Sequence, residues 1–361
     1  MRHPTGPLGC GQRAAGLLII VGVALYSFAG RPSVAQKPEP TVPATGGKTF
    51  PTFGKIERVD PAFDEIIAKD AQIEKLAEGF DWSEGPVWVK DGGYLLFSDI
   101  PPNRILKWTE ADAIKIFLEP ASDVGTVKRA GEPGTNGLLL DKEGRVVTCE
   151  HGRRCVSRIE KDGKRTILAD KYDGKRLNSP NDAVYHSNGD LYFTDPPYGL
   201  EKNWEDPTRE LDHCGVYRVG KDGKVTLLTD KLTRPNGLAF SPDEKKLYVA
   251  QSDPKAPIVM VYNLNEDGTL GTGRIFTDMT AWFQAKKKGL PDGLKVDRAG
   301  NVFATGPGGV HVFSPVGKHL GSLDTGEATA NVGWGNDGST LYITADMYLA
   351  RIRTLTKGAG W

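Results

Sequence analysis

The sequence is poor in cysteine and methionine, and it carries no net charge. Of 361 residues only 4 are cysteine and 4 are methionine, while 46 basic side chains balance 46 acidic ones. No CxxC pair and no Cys/His spacing of a zinc site occurs, which argues against a zinc protein. A zero net charge argues against a nucleic-acid partner, because binding to phosphates favours a basic surface.

Long apolar stretches are confined to the N-terminus. After residue 40 no segment is long and apolar enough to span a bilayer. Before it, a basic start precedes AAGLLIIVGVALYSFAG, and small residues follow at Ser33 and Ala35. This order predicts a secretory signal over residues 1–35 and an exported protein, periplasmic or secreted. The alternative is an uncleaved anchor helix, although the stretch is shorter than the roughly 20 residues that a span requires.

The segment after the signal has the composition of a linker. Residues 36–54, QKPEPTVPATGGKTFPTFG, are rich in Pro, Thr and Gly, and such a composition predicts a disordered leader. We therefore expect a single folded domain over residues 55–361, with no membrane contact once the signal is removed.

Three cysteines remain in the exported part, Cys149, Cys155 and Cys214. An odd number leaves at least one thiol unpaired within a single chain. Cys149 and Cys155 flank EHGRR, a candidate strand–turn–strand, so in an oxidising compartment they could form a disulfide. Buried free thiols are the alternative.

Glycine and proline are plentiful, with 44 and 24 residues spread along the chain. They punctuate six copies of one pattern: a polar residue, an apolar strand, a glycine-bearing turn and a second apolar strand. Turns of this chemistry between runs of period two predict β-hairpins. The copies read EGPVWVKDGGYLLFSD, NGLLLDKEGRVVTCE, NDAVYHSNGDLYFTD, NGLAFSPDEKKLYVAQ, DGLKVDRAGNVFAT and NVGWGNDGSTLYITAD.

The spacing of the copies indicates the fold. They recur at intervals of about 40–55 residues, and further strands such as RILKW and VYRVGKDGKVTLL follow most of them, which gives four strands to a unit. Six such units predict an all-β protein, a closed six-bladed β-propeller with almost no helix. A β-sandwich with insertions is the rival fold, but it does not explain the regular order of the signals.

The first residues of the six copies should meet at one mouth of the central channel, because the first strand of each blade lines that channel. Converging carboxylates repel one another unless a cation lies between them. Carboxylates with amide oxygens suit a divalent ion, Ca²⁺ above all, with Mg²⁺ and Mn²⁺ as alternatives. Asn and Asp before a strand are ordinary turn formers, but Glu is not, so the glutamate favours a metal site. The aligned residues are Glu84, Asn136, Asn181, Asn236, Asp292 and Asn331.

Several of these segments resemble a known family. From about residue 57 to 355 the chain resembles the SMP-30/gluconolactonase/luciferin-regenerating family, and most closely its bacterial gluconolactonase branch, in EGFDWSEGPVW, LLFSDIPPNRILKW, SPNDAVYHSNGDLYFTDPPYGL, RPNGLAFSPD and LPDGLKVD. The resemblance implies a six-bladed propeller with a divalent cation, often calcium, in its channel. The implied ligands are Glu84, Asn181, Asn236 and Asp292.

The resemblance also implies an activity, the hydrolysis of a gluconolactone-like sugar lactone to its hydroxy acid. The cation would polarise the carbonyl, and Asp292 is the implied general base, a role that an ordered water or His151 could share. Animal members carry an arginine two residues before the asparagine of the third blade, where this chain has Ser179. The sugar specificity of the family therefore does not transfer directly.

Other polar residues near the same mouth are candidates for substrate binding. Asn136 and Asn331 lie outside the implied ligand set. His151 and Arg154 follow the second strand of the second blade. Asp195 and Tyr198 occupy the stiff loop DPPYG at the equivalent place in the third blade.

Two other functions remain open from the sequence. The same channel could serve a phosphotriester or fluorophosphate hydrolase, because a metal-bound phosphoryl oxygen resembles a bound carbonyl. Alternatively the propeller could be a non-catalytic binding module in which a calcium ion is structural. The expected partner of an enzyme is a small lactone, and the sequence does not indicate an oligomeric state.

Overall fold

The structure, a computed structural model, describes residues 49–112, 114–122 and 131–361. The predicted signal peptide and most of the predicted leader lie outside these described residues. Within them no helix reaches the length and hydropathy that crossing a membrane requires.

Nearly all regular structure in the described residues is β. The helices are short: three 3₁₀ turns at Pro61–Glu65, Lys90–Gly92 and Asn203–Glu205, and one α-helix, α1, at Thr280–Gln284. In chain order the strands are β1 Thr52–Phe53, β2 Lys55–Arg58, β3 Ile73–Glu78, β4 Ser83–Val89, β5 Tyr94–Asp99, β6 Arg104–Trp108, β7 Lys115–Leu118, β8 Thr135–Leu140, β9 Val146–Glu150, β10 Cys155–Ile159, β11 Arg165–Ala169, β12 Lys171–Tyr172, β13 Lys175–Arg176, β14 Ala183–Tyr185, β15 Leu191–Asp195, β16 Gly215–Val219, β17 Val225–Thr229, β18 Pro235–Phe240, β19 Lys246–Asp253, β20 Ala256–Leu264, β21 Leu270–Asp278, β22 Leu294–Val296, β23 Val302–Gly306, β24 Gly309–Phe313, β25 His319–Asp324, β26 Thr329–Gly335, β27 Thr340–Ala345 and β28 Tyr348–Arg353.

These strands form six antiparallel blades and one small hairpin, β12–β13. Blades one to four are the meanders β4–β7, β8–β11, β14–β17 and β18–β21, and blade five is β22–β25 with β2 added at its outer edge. The first strand of each blade is innermost, and the inner strand of blade six contacts that of blade one. The prediction of a six-bladed β-propeller is confirmed.

The sixth blade is completed by the beginning of the domain. Its order is β26–β27–β28–β3–β1, so a strand from before the first repeat supplies the fourth strand of the last blade. Leu349 pairs with Ala77 in this contact between β28 and β3. The pairing closes the ring and covers a strand edge that would otherwise be open to other chains.

The end of the predicted leader is ordered, which corrects the expectation of disorder for residues 36–54 at its C-terminal part. Thr52 and Phe53 pair with Glu74 and Ile73. Phe50 is buried and packs against the Trp108 ring at a centroid distance of 6.3 Å. Aromatic side chains among the Pro, Thr and Gly of this segment can bury enough apolar surface to fix it on the blade.

Both faces of β5 are buried, because the first blade is stacked between the second and the sixth. In β5, Leu95 and Phe97 belong to an apolar cluster shared with the sixth blade, while Leu96 faces a cluster shared with the second blade. The period-two alternation of a strand therefore sends successive side chains to different cores. This packing holds the inner strands, and hence the channel mouth, in fixed positions.

Of the two alternatives left open for Cys149 and Cys155, the structure has free thiols and no disulfide between them. Both cysteines are free and buried, as is Cys214. In the β9–β10 pair, Cys149 stands opposite Val156 and Cys155 stands opposite Glu150. Directly opposite residues share a face of the sheet, so the two thiols point to different faces and cannot join.

Candidate active site at the channel mouth

Four of the six inner strands, β4, β8, β18 and β26, carry a β-bulge near their start. In the first blade Ser83 pairs with Asp99 and Val87 pairs with Leu96, so the inner strand has one residue more than its partner. The same shift occurs in β8, β18 and β26. A bulge of this kind re-aims side chains at the rim of a sheet. In these blades two consecutive residues therefore stand at the mouth of the channel.

The strand registers define two rings of equivalent residues. The outer ring is Glu84, Asn136, Asn181, Asn236, Asp292 and Ala330. One residue further along each strand, the inner ring is Gly85, Gly137, Asp182, Gly237, Gly293 and Asn331.

The alignment of the sixth repeat is corrected by one residue. Val332 pairs with Ile343 as Leu138 pairs with Thr148, which makes Ala330 the equivalent of Asn136. Asn331 therefore belongs to the inner ring, and the outer ring has five polar members where the sequence alignment expected six.

One residue of the inner ring, Asn331, holds the Glu84 side chain by a hydrogen bond. The Asn331 side-chain N–H group donates to Glu84 Oε2 at 3.1 Å and to Asp182 Oδ2 at 3.4 Å. The Asn331 amide oxygen already accepts from the Val332 N–H at 2.9 Å, so it is committed to the backbone. Position 293 requires glycine, because a Cβ on Gly293 would overlap the Asn331 carboxamide.

The five polar outer-ring residues line one cavity of about 380 Å³. Four of their buried side-chain oxygens have no hydrogen-bond partner within the described part of the chain: Asn136 Oδ1, Asn181 Oδ1, Asn236 Oδ1 and Asp292 Oδ1. The Asn236 side-chain N–H group is fixed by donation to Ser252 Oγ at 2.9 Å, which sets the orientation of its amide. Buried acceptors without donors are costly unless something else satisfies them.

The charges at the mouth also lack compensation. Burial raises the pKa of Glu84 to about 8, and repulsion from Asp182 adds to this. Burial, followed by repulsion from Glu84, raises the pKa of Asp292 well above its usual range. A cation at the mouth would favour the charged form of both groups, and its ligands would be the unpaired oxygens.

A metal at this mouth would have few carboxylate ligands. Across the described ranges no three His, Cys, Asp or Glu side chains group closely enough to hold a metal ion. The donor set is instead two carboxylates with amide oxygens, which fits a hard divalent cation such as Ca²⁺ and not zinc.

Among the other candidates from the sequence, Tyr198 lines the cavity and Asp195 does not. The Tyr198 hydroxyl donates to the Ser252 carbonyl at 3.4 Å. Asp195 is fully buried and accepts from the Asn178 and Ser179 N–H groups at 2.7 and 2.8 Å. It therefore fixes the loop that leads to Asn181.

Arg154 and His151 also lie behind the cavity and not among its lining residues. Arg154 is buried and donates to the Leu177 and Thr208 carbonyls at 2.7 and 2.8 Å, so it joins two loops. His151 is buried, and its Nδ1 lies 3.3 Å from Glu132 Oε2.

Ser179 lies two residues before Asn181, at the position where the resemblance noted in the sequence associates an arginine with animal members. Its hydroxyl donates to the Pro196 carbonyl at 2.6 Å and accepts from the Gly199 N–H at 2.9 Å. This residue is therefore part of the loop scaffold, and the cavity has no cationic side chain at that place.

Sequence reasoning missed the side chains that form the walls of the cavity. They are Trp82, Glu132, Ser252, Phe283 and Leu290. Trp82, Glu132 and Leu290 lie in loops, where no periodic pattern marks them, whereas Ser252 lies near the end of β19 and Phe283 lies in α1. It also missed Asp182. Four of the other repeats have glycine at this position, so a comparison of the repeats would have marked Asp182 as different.

Comparisons with known proteins agree with this architecture. Residues 82–346 match the family described as SMP-30/Gluconolactonase/LRE-like region. A gluconolactonase of Zymomonas mobilis is 40% identical over 313 residues, which covers 85% of this chain and 88% of that protein. The solved structure of a gluconolactonase from Xanthomonas campestris has a TM-score of 0.74 and 32% identity, covering 87% of this chain and 100% of the other.

A third relative is a pentonolactonase of Haloferax volcanii, 26% identical over 273 residues, with 72% of this chain and 80% of that protein covered. The fold is that of a six-bladed β-propeller with a polar site at the mouth of its channel. The chain belongs to the SMP-30/gluconolactonase family.

Proposed function

We propose that this protein is a metal-dependent hydrolase that opens a small sugar lactone of the gluconolactone type to its hydroxy acid. The observation that carries the proposal is the convergence of three amide oxygens without partners in the described structure and two carboxylates in one cavity of about 380 Å³. The names of the relatives support the lactone class, since two act on gluconolactone and one on a pentonolactone.

The cation would be held by Glu84, Asn181, Asn236 and Asp292, with the Asn136 oxygen as an additional donor. Glu84 and Asp292 supply two negative charges, which match one divalent ion. Oxygen-only ligands favour Ca²⁺, and Mg²⁺ or Mn²⁺ are alternatives. Asn331 holds Glu84 in place through its N–H donation, so the ligand is oriented before the metal arrives.

When bound, the cation supplies Lewis-acid polarisation of the lactone carbonyl. Asp292 would accept the proton of the attacking water through the carboxylate oxygen that does not bind the cation. The aromatic walls Trp82, Tyr198 and Phe283 exclude bulk water and hold the lactone ring against the outer ring.

A substrate panel tests this proposal. Glucono-δ-lactone, a phosphotriester and a fluorophosphate are offered to the purified protein, before and after treatment with a chelator. We expect lactone opening well above the uncatalysed rate, its loss on chelation, and little turnover of the phosphorus compounds. Faster turnover of a phosphorus ester than of any lactone would contradict the assignment, and inactivity on all three would favour a binding module.

A further inference from the structure

We propose that Glu132 binds ring hydroxyl groups of the substrate and makes the site selective for polyhydroxylated lactones over unsubstituted ones. This inference rests on the lactonase function proposed above. Glu132 precedes β8 and lines the cavity beside the outer ring. Among the described lining residues it is the one carboxylate that is not a candidate metal ligand.

Glu132 lies close to His151, which is behind the cavity. Its Oε2 lies 3.3 Å from Nδ1 of His151, a residue with no exposed surface. The backbone at Gly199 approaches His151 so closely that a Cβ there would overlap the histidine side chain. The DPPYG loop therefore packs against His151, and His151 lies within contact distance of Glu132, although neither ring nitrogen makes a hydrogen bond within the described part of the chain. The imidazole stands behind Glu132 and is not among the cavity-lining residues.

Glu132 has the exposure that a ligand contact needs. Its side chain is 35% exposed, whereas Glu84 is 1% exposed. Its charge is felt at the outer ring, because it raises the pKa of both Glu84 and Asp292. No hydrogen bond joins it to an outer-ring residue in the described part of the chain, and it is one of the residues that line the cavity.

A carboxylate in this place selects for hydroxyl donors. An ionised carboxylate accepts hydrogen bonds and donates none, and it has room for about four. The neighbouring walls are the Trp82 and Phe283 rings and the Leu290 side chain, which offer no charge to pair with it. A sugar lactone brings several O–H donors on a ring with apolar C–H faces, and it matches both kinds of surface.

The test compares the wild type with Glu132→Gln on two substrates, glucono-δ-lactone and δ-valerolactone, which has the ester but no hydroxyl groups. Because a hydrogen bond to a charged group is lost, we expect kcat/KM for gluconolactone to fall between about tenfold and a hundredfold, mainly through KM. The loss on δ-valerolactone should be at most about threefold, within the scatter of surface substitutions. Glu266→Gln, which removes an exposed carboxylate elsewhere, is the matched control.

An equal loss on both lactones would show that Glu132 acts in ring opening and would overturn the proposal, as would no loss on either. A binding measurement keeps the test separate from the proposed function. Calorimetry with gluconolactam, a non-hydrolysed analogue, should show weaker binding to Glu132→Gln than to the wild type and to Glu266→Gln. If the wild type hydrolyses no lactone, the lactonase proposal fails, while unchanged lactam affinity of Glu132→Gln overturns the role of Glu132.

Discussion

Asp292 is the one residue for which two roles are proposed, metal ligand and proton acceptor. One of its oxygens has no partner in the described structure, and burial together with the Glu84 charge raises its pKa. A bound cation acts in the opposite direction and makes the carboxylate a weaker base. The residue can serve as both ligand and base only if its two oxygens are used differently.

The substitution Asp292→Asn tests the base. It keeps the shape and one oxygen but removes the charge and the proton acceptor, so lactonase activity should fall by at least about a hundredfold. Excess calcium should not restore it, since metal affinity is not the main loss. Steady-state assays with added calcium measure this, with the exposed Asp230→Asn as the control. Activity within tenfold of the wild type would assign the base elsewhere.

At the scale of single elements, the loops before the inner strands of blades one and three are each held by a carboxylate at the end of the second strand of the same blade. Asp99 accepts from the Asp81 and Trp82 N–H groups, as Asp195 does from Asn178 and Ser179. Both carboxylates are fully buried. They fix the path of the chain into Glu84 and Asn181, so the ligands depend on them without touching the cavity.

Replacing Asp195 with Ala should weaken both the fold and the site. Two buried N–H groups would lose their acceptor, at a cost of about 2–4 kcal/mol in the free energy of unfolding. Calcium affinity should also fall, because the Asn181 loop is released. Chemical denaturation and calcium calorimetry measure the two effects.

Asp206→Ala is the matched control for this element, because Asp206 accepts from the Lys202 and Thr208 N–H groups in a loop that carries no outer-ring residue. It should lower stability and leave calcium affinity unchanged. Equal calcium affinity of Asp195→Ala and the wild type would show that the loop does not position Asn181.

For the whole molecule, the sequence predicts the six blades well, because turn chemistry and period-two alternation are local signals. It could not predict that Ile73–Glu78 closes the sixth blade, since this pairing joins distant parts of the chain. It misplaced Asn331 because the sixth repeat has Ala330 where the others have a polar residue, and bulge positions are set by strand pairing. Glu132 and Trp82 were missed because loops carry no period.

Export remains a prediction, since residues 1–48 lie outside the described structure. The mature protein should begin at or near Gln36, where the small residues of the cleavage site end. Intact mass spectrometry of the periplasmic fraction checks this. Full-length chain recovered from the membrane fraction would indicate an anchor.

The central claim is that a divalent cation held by the outer ring is required for lactone hydrolysis. The most direct measurement is the initial rate of gluconolactone opening by metal-stripped protein as calcium is added back, for the wild type and for Glu84→Gln. We predict an inactive stripped protein, saturable recovery, and a Glu84→Gln curve displaced to roughly tenfold or more higher calcium, because one ligand charge is lost. If stripped wild type or metal-free Glu84→Gln hydrolyses the lactone at the full wild-type rate, the outer ring is not the catalytic site and the account is contradicted.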